Sequence, residues 1–200
     1  MSSTNRGALR NPADAYYTPQ WCVDAMLPFI DMDMVSSFLE PCRGGDAIYS
    51  VVDAPTKLWC EIDRGIDYLT TEIDSVDLSW TNPPFTSALE FLHKSLNEAA
   101  TVIYLLPVNF MGSQERKPFW QKFPPTHLFN LSKRPCFAWQ CKSKHCQKLK
   151  PKPLYPVGTV GPCPICNEEK IRPATDSINY GWFCWDGAGM IKTAQPFVWI

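Results

Sequence analysis

The sequence predicts an α/β fold, a doubly wound, mostly parallel sheet with a small module inserted near its C-terminal end. Three observations carry this. Short apolar runs bounded by turn residues alternate with segments of helical periodicity, the pattern of strand–helix–strand units. One run, TVIYLLP (101–107), is continuously apolar, as a strand buried on both faces must be. Residues 138–174 break the pattern, being rich in Cys, Lys and Pro and without periodicity. With 200 residues, 45% of them hydrophobic, the chain can bury one such core, which excludes a disordered chain and a large multidomain machine. The division predicted is residues 1–137 and 175–200 for the main domain and 138–174 for the insertion.

Residues 1–13 are polar and are expected to fray. Thr18 can cap a helix, Pro19 suits its first position, and Trp21, Ala25, Met26 and Phe29 recur at helical spacing. SSFLEPCRGGDAIYSVV follows: a short apolar run ending at Glu40, a Pro/Gly turn, then an expected helix. KLWCEI (57–62) reads as a second strand, and VDLSWTNPPF (76–85) as a third that runs into a stiff turn, since Pro83 and Pro84 cannot donate to a ladder. TSALEFLHKSLNEAA (86–100) places Leu89, Leu92 and Leu96 on one helical face. TVIYLLP, HLFNLS (127–132) and INYGWFCW (178–185) are the remaining strands.

A strand ending in an acid, a glycine-containing turn and a helix together aim backbone N–H groups at a nucleotide-like ligand. Glu40, Pro41, Gly44 and Gly45 are the parts here. Glu61 follows at the end of the next strand, the usual place for a carboxylate accepting ribose hydroxyls. These residues equally fit an ordinary strand–turn–helix joint with solvent-facing acids. No GxGxxG or GxxxxGK[ST] is present, which counts against a dinucleotide or ATP enzyme.

TNPPF (81–85) shifts that balance. At the carboxyl end of a central strand, the Asn82 side-chain oxygen and the Pro83 carbonyl can both accept hydrogen bonds from one exocyclic amino group. Pro83 and Pro84 stiffen the turn, and Phe85 can stack on a flat ring. A conjugated amine is a poor nucleophile because its lone pair is delocalised. Two acceptors on its hydrogens favour a pyramidal nitrogen that can attack.

With these pieces in order, the chain resembles a small phage- or prophage-type DNA N6-adenine methyltransferase. The matching segments are YYTPQWCVDAML (16–27), LEPCRGGDAI (39–48), WCEIDRGIDYL (59–69), TNPPF, LLPVNFMGSQER (105–116), KRPCF (133–137) and TDSINYGWFCW (175–185). The resemblance implies a Rossmann-like methyltransferase fold and S-adenosyl-L-methionine as cofactor. It puts Tyr17, Thr18 and Pro19 by the methionine end of that cofactor and Glu40, Pro41 and Gly44 along it. Glu61 would take the ribose and Asp67 the adenine amino group. Asn82, Pro83, Pro84 and Phe85 would form the target-base site. In one respect the chain departs from the family's acid-Pro-x-x-Gly-x-Gly: EPCRGGD has Asp46 at the second glycine position and Gly45 one place early, which leaves open a one-residue shift of the loop.

None of the three histidines, His93, His127 and His145, lies in these motifs, and His93 is expected to be exposed. That suits direct methyl transfer, which needs alignment and electrostatics more than a strong base. A duplex adenine could reach such a site only by flipping out.

The insertion carries Cys141, Cys146, Cys163 and Cys166 in the spacing C-x4-C…C-x2-C, that of a four-thiolate zinc ribbon with structural Zn²⁺. PVGTVGP between the pairs suits a hairpin. His145 is an alternative to Cys146, and Cys136 reads as a packed thiol. Cys22, Cys42, Cys60 and Cys184 read as small hydrophobes of core elements.

Net charge is −1, but it is segregated: −10 over residues 1–115, +10 over 116–167 and −1 over 168–200. The basic stretch includes Lys133, Arg134, Lys142, Lys144, Lys148, Lys150 and Lys152, so residues 133–152 are the expected phosphate contacts with DNA. Too few residues separate Glu40 from Asn82 for a recognition domain, so the DNA reader must follow Asn82. Other functions compatible with the motifs are N5-glutamine methylation of a protein and N4-cytosine methylation of DNA. A non-enzymatic reading is a zinc-ribbon DNA-binding protein with an inactive methyltransferase fold. No run is long and apolar enough for a membrane helix and no signal peptide is visible, so a cytoplasmic protein is expected, bacterial or in a phage-infected cell.

Overall fold

The structure, a computed structural model, describes residues 17–149, 152–155, 160–174 and 177–200. The expected fraying of residues 1–13, residues 156–159 of the expected hairpin and Lys150 lie outside the described residues. Four parallel strands form one half of the main sheet: β1 (Ser37–Glu40), β2 (Thr56–Trp59), β3 (Val76–Thr81) and β4 (Ala99–Pro107). The other half comprises β5 (His127–Asn130), β9 (Tyr180–Asp186) and β10 (Phe197–Trp199). The order across the sheet is β10-β5-β9-β4-β3-β1-β2. Among the described residues β9 alone runs against its neighbours in this sheet.

Both faces are covered, because alternate residues of each strand enter different cores. Phe38, Leu78, Trp80, Ile103 and Leu105 pack with Cys22, Val23 and Met26 of α1 (Gln20–Met26). Leu39, Val102, Tyr104 and Leu106 pack with Ala88, Phe91 and Leu92 of α2 (Ala88–Glu98) and Phe119 of α3 (Lys117–Lys122). Burial on both faces is why β4 reads as an unbroken apolar run. Ser95 of α2 is fully buried, yet satisfied: it bonds the hydroxyls of Tyr68 (2.8 Å) and Tyr104 (2.6 Å), and Tyr68 also donates to Glu98 (2.8 Å). This network ties α2 to β4 and to the segment between β2 and β3.

Several expectations need correction. The first helix begins at Gln20 with Pro19 as its N-cap and no side-chain cap, so Thr18 does not cap it. Its buried face is Cys22, Val23 and Met26, one residue out of phase with Trp21, Ala25 and Phe29, which are half-buried. In α2 the buried stripe is Ala88, Phe91, Leu92 and Ser95, with Leu89 and Leu96 on its flanks. After Glu40 there is no regular helix. Residues 46–52 make consecutive turns, with Ser50 N–H on the Asp46 carbonyl (2.9 Å) and Val52 N–H on that of Ile48 (3.3 Å), and Pro55 follows too soon for more. β10 and α3 were not foreseen.

Residues 139–173 form a second sheet of β6 (Trp139–Cys141), β7 (Leu154–Tyr155) and β8 (Ile171–Pro173), ordered β7-β6-β8, with the short helix α4 (Lys144–Lys148) between β6 and β7. No helix among the described residues is long and apolar enough to cross a membrane.

Candidate active site and cysteine cluster

The chain passes from β1 outward to β2 and then returns to β3 on the other side of β1. Connections therefore diverge at the carboxyl ends of β1 and β3, where a parallel sheet opens a crevice. A cavity open to solvent lies there. Tyr17, Thr18, Glu40, Gly44, Glu61, Asn82 and Pro84 of the residues singled out from sequence line it. Pro19, Pro41, Pro83 and Phe85 flank these in the chain without lining it. Asp67 is not among the lining residues. Its carboxylate accepts the Leu69 N–H (3.0 Å) and its carbonyl those of Thr70 and Thr71, so it caps a turn. Asp63 lines the cavity instead, together with Ile62, whose side chain is 71% exposed. An apolar residue directly after the strand-end acid was the available signal for Ile62.

Glu40 is 2% exposed, and its Oε2 has no hydrogen-bond partner among the described residues. Burial pushes its carboxyl up to about 9, against the opposing hydrogen bond from the Tyr49 backbone. An uncompensated carboxylate oxygen at the wall of a cavity fits a ligand that brings a cation or a donor.

The glycine loop resolves the departure at Asp46. Gly44 has φ +48° and Asp46 φ +66°, so Asp46 adopts the left-handed conformation that a second glycine would supply. Its carboxylate is held by Arg43 Nε (2.5 Å) and lies 3.6 Å from Arg64. Glu61 Oε2 accepts the Gly44 N–H (2.6 Å) and Arg64 donates to the Gly44 carbonyl (3.3 Å), which fastens the loop to the end of β2. A Cβ on Gly44 or Gly45 would lie 3.3 Å from the Tyr17 ring, so that ring rests directly on the loop. On the other side, Thr81 Oγ1 accepts the Cys42 N–H (3.2 Å).

Asn82 is 9% exposed and follows β3 directly. Phe85 is half-buried, with its ring centroid 5.7 Å from that of Tyr180 and 6.4 Å from that of Phe137. Of the histidines, His93 is exposed on α2 and packs edge-on against Phe119, and none lines the cavity.

The four cysteines of the insertion converge, with their sulfurs within 4.8 Å of one another. Cys141–Cys166 and Cys146–Cys163 are 3.6 and 3.7 Å apart. A zinc tetrahedron with bonds of about 2.3 Å has edges of about 3.8 Å, so this donor set fits the metal. The surroundings orient the sulfurs: Ser143 N–H donates to Cys141 (3.4 Å) and the Tyr155 hydroxyl lies 3.0 Å from Cys163 Sγ. Burial opposes ionisation of Cys163, but the Tyr155 hydroxyl and the N–H groups of Cys166 and Ile165 outweigh it and draw the thiol down to about 6. His145 is exposed, and Cys136 donates to the Ala138 carbonyl (3.0 Å), so neither belongs to the cluster. Cys22, Cys60 and Cys184 are buried in the main cores.

No family model matches the chain, and no curated protein matches it by sequence. Among solved structures it is similar to the crystal structure of a provisionally named RNA methyltransferase from Pyrococcus horikoshii, with a TM-score of 0.53 and 15% identity. That similarity covers 88% of this chain and 90% of the other. The chain therefore has a Rossmann-like methyltransferase fold.

Proposed function

We propose that the protein is an S-adenosylmethionine-dependent methyltransferase acting on the N6 amino group of adenine in DNA. The observation that carries this reading is the position of Asn82-Pro83-Pro84-Phe85 beside the cavity that Glu40, the glycine loop and Glu61 also border. When bound, S-adenosylmethionine supplies an electrophilic methyl group on a sulfonium sulfur. Glu40 supplies a buried acceptor for the cationic end of that cofactor, Glu61 an acceptor for its ribose and Ile62 an apolar cover for its purine. Asn82 and Pro83 accept the two hydrogens of the target amine, Phe85 stacks on its ring, and water takes the proton released on methylation. A duplex adenine enters by base flipping. The cysteine cluster holds a structural zinc, and the exposed Lys142, Lys144 and Lys148 around it contact phosphates.

The test is transfer of labelled methyl from the cofactor to unmethylated DNA, to RNA of the same sequence and to protein, followed by nucleoside analysis. Label on N6-methyldeoxyadenosine is the expected result. Label on cytosine, RNA or protein, or no incorporation, overturns the reading. Asn82→Ala should retain cofactor binding and lose transfer by about 10²-fold or more.

A further inference from the structure

The cysteine insertion is built into the wall of the candidate base site. It leaves the main domain just after Phe137 and returns ahead of Tyr180, and among the described residues both of these rings pack on Phe85. Both are buried, at 7% and 2% exposed, and they meet edge-on with centroids 5.0 Å apart.

The two rings are anchored differently. Tyr180 opens β9, stands opposite Pro107 in the sheet, and its carbonyl accepts the Leu131 N–H (3.0 Å). The next residue, Gly181, brings β9 close to β5: a Cβ there would lie 2.9 Å from the Phe129 carbonyl oxygen. Tyr180 is thus fixed by the main sheet. Phe137 lies in the irregular segment 131–138 and belongs to no strand of that sheet. It packs in the same apolar core as Tyr180 and Trp182, and the regular element that follows it in the chain is the first strand of the insertion. One residue on, the Ala138 carbonyl accepts the Ala174 N–H (3.0 Å), and Trp139 pairs with Pro173, so the two stems close on each other. Cys141 ends the same strand, Lys142 bonds back to Lys170 (2.8 Å), and Cys141 meets Cys166 across that pair.

We propose that Phe137 is a positioning residue for the Phe85 ring and that closure of the four-cysteine cluster sets it, so that metal in the insertion organises the target-base site while leaving the cofactor site alone. This rests on Phe85 being the base platform. The lever is short: a strand of three residues joins the first thiolate to Ala138 and Phe137. Tyr180, held by the sheet, is the fixed surface against which Phe137 presses Phe85.

The experiment uses full-length protein with 4-fluorophenylalanine placed at position 85 and read by fluorine NMR. Removing zinc with a chelator and substituting Phe137→Leu with zinc retained should each shift or broaden the resonance. Cofactor affinity, measured by calorimetry, should stay within about twofold in both, which also shows that the variant is folded. Phe137→Tyr should restore the wild-type spectrum. With DNA as substrate, Phe137→Leu should lower kcat/KM by about tenfold or more, with the loss in kcat. A resonance indifferent to zinc and to Phe137→Leu overturns the proposal, as does loss of cofactor binding in parallel with the shift. If the wild-type protein transfers no methyl to DNA, the functional reading fails while the fluorine spectra still decide the positioning.

Discussion

Asp46 shows how a residue that breaks a motif can keep its geometry. A non-glycine residue at φ +66° is strained by about 1–2 kcal/mol, least for Asp and Asn, and the Arg43 pairing offsets part of that. Asp46→Gly should therefore leave stability within about 1 kcal/mol of wild type, whereas Asp46→Ala, which keeps the strain and loses the pairing, should cost about 1–2 kcal/mol in urea unfolding. Glu40 makes a prediction about pH. Its carboxyl is raised by burial from the usual 4.5 to about 9 in the folded chain. The folded state thus holds a proton that the unfolded state has released, and the stability linked to this group is full below about 4.5 and declines until pH passes 9. Scanning calorimetry of the cofactor-free protein should show the midpoint falling from pH 6 to 9, and Glu40→Gln should flatten that slope. A cationic ligand favours the carboxylate, so cofactor binding at pH 7 should release up to one proton, read by titration calorimetry in buffers of different ionisation enthalpy. Zero release would remove Glu40 from the cationic end.

Elements whose residues face two cores were the legible ones. β4 was readable because burial on both faces demands an apolar run, and Glu40, Glu61 and Asn82 were readable because each stands at or just past the end of a strand. The helix expected after Glu40 failed because local apolar content at Ile48, Val51 and Val52 says nothing of the few residues left before Pro55. β10 was invisible, since three residues of an edge strand with Phe197 and Trp199 exposed carry no alternation worth the name. Asp67 lies outside the cavity lining because its carboxylate caps its own turn, and spacing does not encode that backbone turn. The cysteine spacing was legible, and the four sulfurs it brings together could hold a metal, which energetics would favour. Among the described residues the apolar core of the insertion is three of its cysteines and Ile171, with Trp139, Leu149 and Tyr155 half-covered. A module of roughly 40 residues with so small a core needs a cross-link. Atomic absorption should find one zinc per chain, lost in Cys146→Ser. Chelation should abolish amide-exchange protection in β6 and β8 while leaving β3 and β4 protected; a second sheet unaffected by chelation would exclude a structural metal.

Across the whole molecule, charge follows chemistry. A near-neutral total gives no reason to expect a polyanionic partner, yet the acid lies with the segment bearing the cavity and the base with residues 116–167. A cationic cofactor and a polyanion would each meet the opposite sign. The exposed Lys142, Lys144 and Lys148 sit on or beside α4, next to the cluster rather than in the cavity. If they neutralise phosphates, each releases about one counterion, and affinity for duplex DNA should fall steeply with salt. Replacing all three with Ala should reduce the slope of log affinity against log salt by up to about 3 and weaken binding at low salt most. Cofactor affinity should not change, because these side chains lie outside the cavity. An unchanged slope would move the DNA-contacting surface off the insertion, and a slope change accompanied by weaker cofactor binding would mean the two regions are not electrostatically separate.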